Sequence, residues 1–195
     1  MKTAGILLTI CSGSWLLAPM GSSTQEIPTE QEIGVVEVLQ SENAALAEIF
    51  PDADSAHSQH LVVDSAMNSV LRERLGRKVH DTGFTVFDVY DSGQRIGMAV
   101  IADEQGKYRP ITFMAGIDTT LRIVDVRVLV YRESRGGEVR QTRFLKQYRA
   151  KSLDNPIRIN RDIVNITGAT ISVNSLNAGV RKALAVVEYM EGHLR

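Results

Sequence analysis

The stretch Ile123-Val124-Asp125-Val126-Arg127-Val128-Leu129-Val130-Tyr131 decides the fold class. Val124, Val126, Val128 and Val130 recur with period two and make one apolar face, while Arg122, Asp125 and Arg127 interrupt the other, the pattern of a β-strand with one side on a core. Three further runs with the same period precede it: Phe84 to Tyr90, Ile96 to Ala102 and Tyr108 to Gly116. The connections Asp91-Ser92-Gly93 and Glu104-Gln105-Gly106-Lys107 are too short to hold crossover helices, so neighbouring strands run antiparallel as a meander. Downstream, Arg132 to Arg161 is polar and arginine-rich, with a short helix expected over Gln141 to Tyr148.

The chain ends on a different period. Leu176, Val180, Ala183, Leu184, Val187 and Met190 fall on one face of a helix, with Arg181, Lys182 and Glu188 on the other. This amphipathic helix is expected to pack on the sheet, with Leu184 and Val187 against the valine face. Ahead of the meander, Ile33, Val36, Leu39, Leu46, Ile49 and Phe50 suit a helix that stops at Pro51. A second helix is predicted from Ser58 to Leu75, with Leu61, Val62, Ala66, Val70 and Leu75 on one side and Gly76 after its end. The fold class that follows is α+β: N-terminal helices, an antiparallel meander and a C-terminal amphipathic helix packed on the sheet.

Composition narrows the function classes. The 195 residues carry 22 Lys plus Arg against 23 Asp plus Glu, a net charge of −1 that offers no sequence-wide field for nucleic acid. The single cysteine, Cys11, makes neither an internal disulfide nor a multi-thiolate metal site. It lies in a segment that reads as a secretory signal peptide: Lys2, an apolar stretch from Ala4 to Met20, then Gly21, Ser22 and Ser23. Export to the periplasm or another extracytoplasmic space is therefore expected, with a retained membrane anchor as the alternative. The organisation read from this is a signal peptide over 1–23, a linker over 24–32, an N-terminal helical segment over 33–80 and the main domain over 81–195.

One segment invites chemistry: Asn165-Ile166-Thr167-Gly168-Ala169-Thr170-Ile171-Ser172, immediately before the last helix. It combines a glycine for a tight turn, hydroxyls, and a helix start whose first amides lack intrahelical acceptors, a setting that suits an anion. Thr170 there suits a phosphate ester; alternatively, Ser172 or Asn174 caps the helix, and Thr167 and Thr170 are turn residues.

Thr167-Gly168-Ala169-Thr170-Ile171-Ser172 followed by an amphipathic helix resembles the flavinylation motif of the FMN-binding domain family, an extracytoplasmic domain found in the C subunit of sodium-translocating NADH:quinone oxidoreductase and the G subunit of the Rnf complex. The resemblance runs from about Gly83 to Ala185 and includes Gly106-Lys107, Gly116-Ile117-Asp118 and Tyr131-Arg132-Glu133-Ser134-Arg135-Gly136-Gly137. The chain is most similar to stand-alone secreted members. The resemblance implies that Thr170 is esterified to the phosphate of FMN by a flavin transferase. It further implies that Thr167, Gly168, Ala169, Ile171 and Ser172 form the cofactor loop, and that Glu133 lies on a turn facing the flavin. Two positions depart from the family pattern: Val164 stands where the family has an aspartate, the nearest acid being Asp162, and Val173 replaces a frequent small hydroxyl residue.

Other constellations are weaker. Glu133 and Glu138 around Gly136-Gly137 read as solvated turn carboxylates rather than an acid–base pair. His57 and His60 share a face of the predicted second helix but have no third or fourth ligand nearby, so no metal site is expected. Arg132, Arg135, Arg140, Arg143, Arg149, Arg158 and Arg161 form a locally basic stretch, read as a solvated face or as partners for the acids of residues 26–54. Two functions emerge. The first is an extracytoplasmic electron carrier with covalent FMN, working between membrane or periplasmic donor and acceptor proteins. In it the isoalloxazine supplies the chemistry and no residue acts as acid or base. The second is a non-redox binding or assembly module with the same fold and an unmodified site.

Overall fold

The predicted strand over 123–131 lies second from one edge of a six-stranded antiparallel sheet in the computed structural model, which describes residues 35–193. The expected signal peptide, the linker and Ile33 lie outside the described residues. The strands are β1 (Glu37–Val38), β2 (Ser55–Val62), β3 (Gly83–Asp91), β4 (Gln94–Gln105), β5 (Pro110–Asp118) and β6 (Ile123–Tyr131). Their spatial order is β1-β6-β5-β4-β3-β2, so β3 to β6 form the expected meander. The helices are α1 (Glu42–Ile49), α2 (Ser65–Leu75), α3 (Thr142–Leu145) and α4 (Thr170–His193). The fold is α+β, with α4 laid on the sheet. Among the described residues no helix is long and apolar enough to cross a membrane.

The N-terminal region departs from the helical reading in two places. Glu37–Val38 pairs with β6, so the first helix begins only at Glu42, where the Ser41 hydroxyl accepts the Ala44 N–H at 3.3 Å. Ser55–Val62 is a strand paired with β3 along its whole length, and the second helix starts at Ser65, with the Asp64 carboxylate accepting the Met67 N–H at 2.8 Å. Apolar residues at Leu61, Val62, Ala66 and Val70 imitate a helical stripe, but Asp64 caps a helix there, and an edge strand with mostly exposed side chains shows no period to betray it.

The valine face is also broken. Val126 and Val128 belong to the main core beneath α4, whereas Val124 and Val130 pack with a smaller core on the other side of the sheet. Pairing between β5 and β6 slips at Thr112/Phe113 and again at Gly116/Ile117, and each irregularity shifts the alternation by one residue.

The main core joins α2, α4 and one sheet face; the smaller joins α1 and the other. Helix α4 buries Leu176, Val180, Ala183, Leu184 and Val187 as its period predicts, and it packs chiefly on β4 and β5 rather than on the β6 valines. Lys182, expected on the polar face, is instead buried, held by Asp81 at 2.9 Å, Glu104 at 3.0 Å and the Asp103 carbonyl at 2.8 Å. On the opposite face α1 sits down on glycines: a Cβ at Gly116 would collide with Ile49 and Phe50, and one at Gly97 with Phe50.

Candidate functional site

The chain enters α4 through a turn made by Thr167 and Gly168. Gly168 has φ +84°, a left-handed conformation that glycine adopts without the Cβ penalty. The Ala169 N–H donates to the Ile166 carbonyl at 3.0 Å, and the Ala169 carbonyl receives the Val173 N–H at 2.9 Å, the first bond of the helix. The amides of Thr170, Ile171 and Ser172 therefore precede the helical ladder. No acidic side chain occupies the first turn to neutralise the positive end of the helix dipole.

The predicted loop residues divide by exposure. Thr167, Gly168 and Thr170 are exposed, and the Ile171 side chain is half-exposed. Ala169 and Ser172 are buried and anchor the turn from beneath. The Ser172 hydroxyl lies 3.1 Å from the Tyr131 hydroxyl, which in turn donates to the Arg135 carbonyl at 2.6 Å. A Cβ on Gly136 would come within 2.6 Å of Ser172 Oγ, so the turn after β6 is seated directly on the start of α4. Burial pushes the Tyr131 hydroxyl above its ordinary range, against the bond with Ser172 that favours ionisation, so it stays a neutral donor. One turn later, Ser175 Oγ donates to the Gln105 carbonyl at 2.5 Å and ties the helix to the end of β4.

Glu133 is on that same turn, with its carboxylate engaged elsewhere. Its Oε1 accepts the N–H groups of Tyr108 at 2.7 Å and Arg109 at 3.0 Å, closing the β4–β5 connection. The structure thus joins the Glu133 turn to the Thr170 loop through Tyr131 and Ser172, while Glu133 itself serves the neighbouring hairpin.

Sequence reading gave Asn165 no role. Its Nδ2 donates to Thr170 Oγ1 at 3.0 Å, which fixes the oxygen and leaves the hydroxyl proton free to be donated or removed. The Asn165 Oδ1 is buried without a hydrogen-bond partner among the described residues. Its place five residues before Thr170 was the only sequence signal. Gln147, in the 3₁₀ turn Lys146–Tyr148 that follows α3, adds support by accepting the Val164 N–H at 2.8 Å, while the Val164 side chain stays 74% exposed.

The remaining candidates disperse. His57 and His60 are three apart on a strand, hence on opposite faces, not on one helix face; His57 stacks edge-on against Tyr90 and His60 covers Gly83. Of the basic stretch, Arg140 pairs with Glu37, Arg149 with Asp125 at 2.5 Å, and Arg132 donates to Pro110 O and Thr112 Oγ1.

A hydroxyl oriented by an amide beside a helix start whose first amides precede the ladder is a setting that suits an anionic group. Comparison with known proteins agrees: residues 106–185 match the model of the FMN-binding domain family, a span from the β4–β5 turn through β6 and the loop into α4. No curated protein matches the chain.

Proposed function

The chain carries an FMN-binding domain and FMN is its cofactor, and on that premise we propose that the flavin is held covalently on Thr170 and that the protein is an extracytoplasmic electron carrier. The single observation carrying the reading is Thr170 itself: exposed at the first position of α4, its oxygen held by Asn165, in the first turn ahead of the helical ladder. Exposure matters because a partner flavin transferase must reach the hydroxyl. In that attachment the Thr170 Oγ–P bond would form as the transferase breaks the phosphoanhydride bond of an activated flavin dinucleotide, the nucleoside monophosphate leaving and the Thr170 proton passing to a base of the transferase or to solvent; the amides of the first turn would hold the phosphate. Bound FMN supplies the electron chemistry, so the protein's part is attachment, orientation and exclusion of competing contacts. Membrane or periplasmic donors and acceptors complete the reading, as does export by the N-terminal segment.

Val164 in place of the family's aspartate supports the second reading, a binding or assembly module left unmodified. Co-expression with a flavin transferase separates the two. The parent is expected to show flavin fluorescence on the denatured band, with the added mass on the peptide containing Thr170. Thr170→Val removes the adduct and keeps the fold; Thr167→Ser keeps both. If the missing acid limits the transferase, Val164→Asp raises the modified fraction. An unmodified Thr170 in both parent and Val164→Asp overturns the carrier and leaves the module.

A further inference from the structure

A cleft of about 400 Å³ lies at the edge of the main core, between α4, the end of α2 and the loop over 157–159. Its polar lining is Arg77, Arg158, Arg181, Asn174 and Asn177, with no acidic residue among the lining groups. Leu75, Ile157, Ile159 and Ala178 supply an apolar side.

The positive charges here are not balanced as they are elsewhere. Arg77 is committed to Glu104, and the fold likewise pairs Arg74 with Glu188, Arg95 with Glu191 and Arg127 with Asp125. Arg158 and Arg181 have no ion pair among the described residues. Arg181 donates to the carbonyls of Asn155 at 3.1 Å and Pro156 at 3.3 Å, which fixes it in place without cancelling its charge. Burial, and then the charge of Arg158, disfavour the Arg181 cation, and the nearby Asp162 carboxylate, itself paired with Lys151, offsets them only in part. Beneath them Asn177 is 4% exposed; its Oδ1 accepts the Tyr148 hydroxyl at 2.8 Å, and its Nδ2 is a buried donor with no acceptor. Such an unpaired donor is costly unless a ligand or water satisfies it.

We propose that this cleft binds a small organic anion, its carboxylate or phosphate held by Arg158, Arg181 and the Asn177 amide and its apolar body lying against Leu75 and Ile157. A guanidinium pair presents several N–H donors to one oxyanion, and the cleft is larger than an inorganic ion needs. Asn174 is one helical turn beyond Thr170, so the cleft and the attachment loop are neighbours on α4. The proposal stands apart from the covalent flavin.

The test uses the full chain produced without a flavin transferase, so that failure of one reading leaves the other intact. Titration by NMR with inorganic phosphate, phenyl phosphate and benzoate reads the Asn177 side-chain amide directly. Phenyl phosphate or benzoate is expected to bind saturably and to shift that resonance, at least about tenfold more tightly than inorganic phosphate. The tighter of the two organic ions identifies the head group. Arg158→Ala, a change to an exposed side chain, is expected to weaken binding by about tenfold or more, whereas Arg143→Ala, outside the cleft, leaves it unchanged. No saturable binding by any probe overturns the proposal, and so does equal weakening by Arg158→Ala and Arg143→Ala, which would mark a bulk charge effect.

Discussion

Asp162 is the acid nearest the Thr170 loop in sequence, and its carboxylate is already occupied. It accepts the N–H groups of Arg158 at 3.0 Å and Ile157 at 3.2 Å and pairs with Lys151 at 3.0 Å, holding a loop in which Ile157 and Asn160 have positive φ. Burial alone would raise its pKa, but these donors outweigh it and hold the carboxyl below the ordinary aspartate value of 3.8. A depressed pKa means that the folded chain favours the anion. The stabilisation is therefore whole above the unfolded value and is lost as pH falls past it toward the folded one. Denaturant melts of the parent and Asp162→Asn should differ by a constant amount well above the ordinary aspartate value of 3.8 and converge as the pH falls below it. A gap that widens on acidification would contradict the assignment. The same side chain shows what residue types alone could convey. Thr167, Gly168 and Thr170 were legible because turn chemistry and a helix start are local. That Glu133 would be used up by backbone amides was not, because those amides come from the distant β4–β5 turn, and the amides that occupy Asp162 belong to a loop whose positive-φ turns at Ile157 and Asn160 no residue type announces.

Helix α4 was the most legible element and also hides the least legible contact. Its apolar period was plain, yet Gly179 within it has a reason visible only in three dimensions. A Cβ there would overlap the ring of Phe113, fully buried on β5, and approach Glu104 Cγ to 2.8 Å. Helix propensity favours Gly179→Ala by about 1 kcal/mol, while overpacking a closed core costs about 1–3 kcal/mol. The substitution is expected to lower the Tm. Leu184→Ala, which leaves a cavity instead, should cost about 2–5 kcal/mol in a urea melt. A Gly179→Ala chain more stable than the parent would show that α4 stands off the sheet. Strand β2 lies at the other extreme. Exposed along nearly all its length, it had no alternation to read, and only its pairing with β3 makes it a strand.

Across the whole molecule, the sheet separates two unequal layers. The order of β3 to β6 followed from turn lengths, and the closing helix from its stripe. The division of buried residues between the two faces did not, because it depends on the two slips in β5–β6 pairing that no residue type announces. The smaller layer has a further consequence. It rests on α1, eight residues long and held by Ala45 and Ile49, with Phe50 behind them over Gly97 and Gly116. A helix of that length does not persist undocked in water, so α1 exists only while it is seated. Amide exchange should report this as two opening free energies. Amides of residues 45–49 are expected to exchange through a partial opening well below the global value, and those of 176–187 only with global unfolding. Equal protection in hydrogen-exchange mass spectrometry would show a single cooperative unit. With two, the chain can shed one cover of its sheet and reseat it while the layer that carries Thr170 keeps its protons.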